Sequence, residues 1–197
     1  MNKDFYRDFD FAKTRNSLLA VIDMQEDFIT GALGTEQARA MLPYAAEFVA
    51  KWQGDRVVTK DTHDINYLNT QEGRHLPVIH AVRNTPGWQL VPQIRDAINN
   101  DDHHVFILEK NSFGTLDIAK IIQGRRYEAV YVLGVCTGIC DISNAVIIKA
   151  ADPEVPIYIL ADLCACVSPE THDIALKAMK LLQMEIIQSD DYARLIP

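Results

Sequence analysis

The chain contains no hydrophobic run approaching the length that spans a bilayer, and its first ten residues, MNKDFYRDFD, are charged where a secretory leader needs an apolar core. A cytoplasmic location is the resulting expectation. Basic charge is scarce as well. Nineteen Lys and Arg stand against 27 Asp and Glu, for a net charge of −8, and no basic stripe is present. Nucleic acid and anionic membrane surfaces are therefore not expected as partners. Cysteine is thinly used, with four in 197 residues, and the spacings Cys136/Cys140 and Cys164/Cys166 match no common zinc module. This pattern excludes a secreted disulfide scaffold and leads us to expect reduced thiols, with Cys164 and Cys166 as buried packing. Internal repeats and low-complexity tracts are absent too. What remains, 48% hydrophobic and 23% charged residues, suits one globular domain over 1–197, with residues 1–16 as an N-terminal extension.

Segments rich in Val, Ile and Leu recur at 17–23, 56–59, 104–110, 129–135, 156–162 and 185–188. Helical patterns fall between them at 35–52, 90–99, 116–123, 139–151 and 169–183. The strand segments are continuous apolar runs, not alternating ones, so they are covered on both faces. That predicts an α/β fold, a three-layer α/β/α sandwich on a six-stranded, mainly parallel sheet. The last helix is the best marked: Ser168 suits an N-cap, Pro169 the first helical position, and Ala175, Ala178, Met179 and Leu182 form an apolar stripe. The connection 60–88 has little periodicity, and long irregular connections in compact domains are usually functional.

The stretch YVLGVCTGICD at 131–141 reads as strand, turn and helix, placing Cys140 at the first turn of the helix. Free N–H groups and the helix dipole there favour a thiolate, making Cys140 a candidate nucleophile, and the same N–H groups suit an oxyanion. Against this, free cysteine often serves as a small buried hydrophobe. Its company decides between the two readings. In a parallel sheet the carboxyl ends of all strands share one edge, so topology alone brings Asp23, Asp61, His63, Lys110 and Cys140 to one rim. Asp61, His63 and His80 are of metal-ligating types.

In family order, the chain carries IDMQEDF at 22–28, DTH at 61–63, QEGRHLPVIH at 71–80, TPGW at 85–88, KNSFG at 110–114 and GVCTGIC at 134–140. By this ordered set it resembles the isochorismatase-like cysteine hydrolases, and within them the nicotinamidase-like members. The resemblance implies a Rossmann-like strand order 3-2-1-4-5-6 and a triad of Asp23, Lys110 and Cys140. It also implies a cis peptide between Val135 and Cys136, with the N–H groups of Cys136 and Cys140 as the oxyanion hole. Asp61, His63 and His80 would hold a divalent metal, joined in some members by a carboxylate at about Glu72. Zinc is expected first, with iron or manganese as alternatives. Phe28 and Phe113 would flank a flat ring, although aromatic residues near strand ends are also ordinary core. The chemistry implied is hydrolysis of the carboxamide of nicotinamide or a related small amide to acid and ammonia through a thioester. Lys110 would depress the thiol pKa while Asp23 takes the proton. Self-association as a homo-oligomer is implied by the resemblance alone.

Four residues depart from the family pattern: Gly138 where Asp is common, Asp141 where Val usually follows the nucleophile, Ala81 where Cys usually follows the metal His, and Asn84 where Gly is usual. Asp141 is expected to oppose a thiolate at Cys140 unless it faces solvent or a cation. His103 and His104 read as a polar entry to the third strand, His75 as outside the ligand set, and His172 as a surface helix residue. Two other readings stand beside the amidase: an isochorismatase-type hydrolase of a vinyl ether, and a catalytically silent binding module on the same fold.

Overall fold

The computed structural model describes residues 9–99 and 103–188. Six strands, β1 (Leu18–Ile22), β2 (Asp55–Asp61), β3 (Val105–Lys110), β4 (Val130–Val135), β5 (Ile157–Ala165) and β6 (Glu185–Ile187), form one sheet in the order β3-β2-β1-β4-β5-β6, with every pairing parallel. Central strand β1 is buried along its whole length, which explains its unbroken apolar run. Side chains alternate across a strand. Accordingly Leu19 and Val21 enter one core layer, while Leu18, Ala20 and Ile22 enter the other.

The first layer is completed by α1 (Glu26–Ile29), α2 (Glu36–Lys51) and, after the short α3 (Gln71–His75), by α4 (Pro92–Ile98). Phe48 and Trp52, both fully buried, are among its largest fillers. The second layer consists of α5 (Asp117–Gly124), α6 (Ile142–Ala151) and α7 (Pro169–Leu181). Within α7 the Ser168 side chain accepts the Thr171 N–H in a capping box and Pro169 opens the helix, as its sequence predicts. Of the segment read as an extension, residues 1–8 lie outside the described residues. Phe9, however, is buried against Phe48 and Tyr131, so the chain joins the core before β1 begins.

Two strands run further than their apolar stretches suggest. β2 reaches Asp61, and β5 continues to Ala165 past a register shift opposite β4. At that shift Gly134 has φ +145°, and a Cβ there would lie 2.2 Å from the Ile22 carbonyl oxygen. Only glycine lets β4 pass so close to β1 at the edge where the polar residues gather.

Candidate functional site

Backbone register places the polar groups. Asp61 and Lys110 are direct partners across β2 and β3, and Asp23 follows the last residue of β1. Asp23 takes a left-handed backbone, φ 49°, and its N–H meets the Thr59 hydroxyl at 3.2 Å, while that hydroxyl donates to Asp23 Oδ1 at 2.7 Å. Lys110 Nζ lies 2.6 Å from Asp23 Oδ2, 3.4 Å from Asp61 Oδ1 and 3.7 Å from Cys140 Sγ. Asp23, Lys110 and Cys140 thus meet in one buried cluster.

The turn carrying Cys140 differs from the simple strand-to-helix entry read from the sequence. Thr137–Asp141 forms a π-helical turn ahead of α6, closed by the Asp141 N–H on the Cys136 carbonyl at 3.2 Å. The Val135–Cys136 peptide is cis, as the resemblance implied. Asn144 in α6 fixes this turn by donating to the Cys140 carbonyl at 2.8 Å and the Phe113 carbonyl at 3.1 Å, and by accepting the Thr115 N–H.

Electrostatics revise one expectation. Burial pushes the Cys140 thiol well above its ordinary range, the Asp23 charge adds to this, and the Lys110 cation only opposes it. The resting group is therefore a thiol, because desolvation outweighs the dipole and cation invoked from the sequence. Lys110 itself is held above the ordinary lysine range: burial disfavours the cation, but the neighbouring Asp23 and Asp61 carboxylates, with the Cys140 sulfur, favour it. Burial raises Asp23 as well, against the lowering effect of Lys110.

Beside this cluster, Asp61, His63, Glu72 and His80 each present one donor atom, and all four atoms lie within 4.8 Å of one another. His63 Nε2 is 2.8 Å from Asp61 Oδ2, and His80 Nε2 is 3.5 Å from the same oxygen. The far nitrogen of His80, Nδ1, sits 2.7 Å from the Val78 carbonyl, which fixes the ring and leaves Nε2 facing the cluster. His63 Nε2 is buried without a properly oriented hydrogen bond. Burial works against charge on Asp61, but the close His63 and His80 imidazoles and the Lys110 cation keep its carboxyl well below the usual carboxylate range. Two imidazoles and two carboxylates converging on one point, with an orphaned buried nitrogen, fit a divalent metal. Both Asp61 and the connection after it are anchored by Gln25. Its side chain donates to the Asp61 and Trp88 carbonyls at 2.9 Å each and accepts the Asp61 N–H at 2.7 Å.

A cavity of about 250 Å³ opens onto both clusters. Asp61, Glu72, His80 and Cys140 are among its polar groups, and Phe28, Leu76, Phe113 and Ile139 are among its apolar walls. The Phe28 ring stands edge-on to His80 at 5.4 Å. Both aromatic residues singled out in the sequence therefore line the cavity. His75 stays outside the ligand group, with Nδ1 on the Gln71 carbonyl.

Three expectations are corrected. Cys136 and Cys166 form a disulfide, with Cα atoms 4.5 Å apart, so the four thiols are not all reduced and Cys166 is not simple packing. Pairing of Val135 with Ala165 across β4 and β5 puts the next residue of each strand side by side, a proximity hidden by 30 positions of sequence. A Cβ on Gly138 would press on Ala175 Cβ at 3.3 Å and sit in ordinary contact with Cys166 Sγ at 3.6 Å, so position 138 packs beside the bridge and against α7. Asp141 does not face solvent. It is fully buried, and burial raises its carboxyl well above the ordinary range, with Cys164 and the Lys110 cation only opposing, so its neutral form is favoured and the expected repulsion of its neighbour's charge is relieved. His172 is half-buried, with Nδ1 2.8 Å from the Thr137 hydroxyl, and burial lowers its pKa.

Thr59, Gln25 and Asn144 were missed in the sequence. A polar residue in a largely apolar helix is the signal that marks Asn144, whereas Thr59 lies in a strand of mixed polarity that gives it no such mark.

Strand order, cis peptide and buried Asp, Lys and Cys define the class: a cysteine hydrolase of Rossmann-like architecture. The family profile described as Isochorismatase domain matches residues 17–191. The chain belongs to that family. It is similar to a nicotinamidase of Saccharomyces cerevisiae, 26% identical over 173 residues that cover 65% of this chain and 79% of that protein. Among solved structures it is similar to a pyrazinamidase of Pyrococcus horikoshii in complex with zinc, at 29% identity and TM-score 0.73, covering 88% of this chain and 99% of that one. A pyrazinamidase/nicotinamidase from Streptococcus mutans matches at 26% identity and TM-score 0.77, covering 87% of this chain and 99% of that one. Among the described residues no helix is long and apolar enough to cross a membrane.

Proposed function

We propose that this protein hydrolyses the carboxamide of nicotinamide or a closely related flat heteroaromatic amide, releasing ammonia. The observation that carries the reading is the position of Cys140. It stands 3.7 Å from Lys110 Nζ on the wall of an apolar cavity whose polar groups include Asp61, Glu72 and His80. A ring held between Phe28 and Phe113 presents its amide to the thiol and its ring nitrogen to the four-donor cluster. Similarity to nicotinamidases and pyrazinamidases supports the same substrate class.

In this reading Cys140 is protonated at rest and loses its proton to Asp23 as it attacks the carbonyl carbon. The backbone N–H groups of Cys136 and Cys140 receive the developing oxyanion. Lys110 remains a cation throughout, balancing Asp23 before transfer and the sulfur after it. Asp23 then returns the proton to the departing ammonia, leaving a thioester. A water deprotonated by Asp23 cleaves that thioester to release the acid and restore the thiol. Asp61, His63, Glu72 and His80 hold a divalent metal, zinc by the nitrogen and oxygen donor set, with iron or manganese as alternatives. When bound, it supplies an electrophilic anchor for the ring nitrogen and fixes the substrate's orientation. The donor cluster also favours amide over vinyl-ether chemistry, which has no ring nitrogen to anchor. Asp141, neutral and buried, removes the electrostatic reason to read the site as silent.

A panel of nicotinamide, pyrazinamide and N-carbamoyl compounds assayed for ammonia release tests the proposal. Turnover of the first two is expected. Folded, metal-loaded protein that releases ammonia from none of them refutes it.

A further inference from the structure

Ala81, immediately after His80, is a fully buried non-glycine residue with φ 45°, a left-handed backbone that must be held by its surroundings. Both of its peptide groups are tied. Its carbonyl accepts the His63 N–H at 2.9 Å, and the His63 carbonyl in turn accepts the Arg83 N–H at 2.9 Å. Its own N–H donates to Asp27 Oδ2 at 2.8 Å, across 54 residues of sequence. Asp27 is anchored in its turn, since its backbone carbonyl accepts the Leu33 N–H at 2.8 Å. Gly87 closes over the carboxylate so tightly that a Cβ there would come within 2.1 Å of Oδ2, and the three nearest atoms would all belong to the Asp27 side chain. Next along the chain, Phe28 packs on the His80 ring.

We infer that Asp27 is a positioning residue for the Asp61, His63, Glu72 and His80 cation site: by holding the Ala81 N–H it fixes the turn that aims His80 and, through the Ala81 carbonyl, the backbone of His63. This inference rests on the proposed metal role of those four residues. Asp27 presents no donor atom to the group itself, so it acts through the peptide after His80. An acceptor oxygen of the right length is sufficient for that task, and Asn supplies one. Ala does not. Gly87→Ala reaches the same bond from the other side, by pushing a methyl group into the carboxylate.

Zinc ion alone is the probe, titrated into metal-stripped protein against a chromophoric chelator, with the cobalt(II) absorption spectrum as a second readout of coordination geometry. Supporting partners of metal ligands typically contribute 10- to 100-fold in affinity. Asp27→Ala is expected to weaken zinc binding by about that factor and to alter the cobalt spectrum, while Asp27→Asn stays within about threefold of wild type. Gly87→Ala should weaken zinc binding in the wild-type background and have no further effect on Asp27→Ala, the non-additivity expected of two changes acting on one bond. If Asp27→Ala does not fold, Gly87→Ala and Asp27→Asn still decide the matter. Iodoacetamide alkylation of Cys140 at an unchanged rate would show that the neighbouring thiol site is intact. Wild-type affinity in Asp27→Ala, or in Gly87→Ala when that variant stands alone, overturns the inference; so does Asp27→Asn as weak as Asp27→Ala. A wild-type protein that binds no zinc or cobalt overturns the metal reading itself, and this inference with it.

Discussion

Removing the Cys136–Cys166 bridge should separate stability from catalysis. The bond closes a loop of 30 residues between neighbouring strand ends. In the chain-entropy description a cross-link of that span restricts the unfolded chain by about 3.6 kcal/mol at 25 °C. For a domain of this size each kcal/mol moves the melting temperature by roughly 2–4 °C, so a Cys136→Ala/Cys166→Ala variant should melt about 7–14 °C below the oxidised wild type. Reduced wild type should fall to a similar temperature. Activity at 25 °C should remain within a few-fold, because the role proposed for Cys136 is that of its backbone N–H. Thermal and urea unfolding with and without dithiothreitol measure the first effect, and ammonia release the second. Thiol titration of denatured, unreduced protein provides a direct check: two reactive groups are expected, from Cys140 and Cys164. Four thiols, or coincident melting of oxidised, reduced and variant proteins, would refute the reasoning.

Cys140→Ala should abolish amide hydrolysis by several orders of magnitude with the fold retained, as followed by circular dichroism; residual turnover near wild type would make another group the nucleophile. Lys110→Met removes a cation 3.7 Å from the sulfur, and the pH profile of iodoacetamide alkylation should move up by about one unit or more. An unmoved profile would remove Lys110 from the proposed triad. His80→Ala should lower bound metal below the near one equivalent per chain expected of wild type by elemental analysis, with Cys140 still alkylated readily; unchanged metal content would exclude His80 as a ligand. Asp141 tests the sign of a buried acid. Its folded pKa lies above the unfolded value near 4, so its contribution to stability is full below that pH and is lost progressively as pH rises toward the folded value. The stability of Asp141→Asn relative to wild type should therefore increase with pH above about 4, by at most about 1.4 kcal/mol per unit. A difference that stays flat from pH 4 to 8 in urea unfolding would show Asp141 to be charged in the folded protein.

Hydropathy and a few spacing rules determined most of the architecture. Continuous apolar runs marked parallel strands, doubly covered at the centre of the sheet though not at edge strand β3, where Ile107 is exposed; Ser168 and Pro169 marked the start of α7, and the carboxyl-edge rule brought Asp23, Asp61, His63, Lys110 and Cys140 to one rim. These features are local or topological, and a linear chain records them directly. The short elements of the 60–88 connection left no such periodic trace. Phe28, Glu72 and His80 could be nominated by motif order, but their convergence on one cavity depends on how that connection folds over α1.

Ionisation state and cross-strand contact were decided by tertiary structure alone. The sequence assigns Cys140 a helix dipole and a lysine, both favouring a thiolate, yet burial reverses the balance because desolvation depends on every atom packed around the sulfur. Asp141 is neutral for the same reason. The Cys136–Cys166 bridge depends on the register between β4 and β5, which no spacing of cysteines along the chain encodes. A sequence states which groups are present and roughly which edge they reach; the packed fold sets the distances and the dielectric, and these determine which groups carry charge and which form bonds.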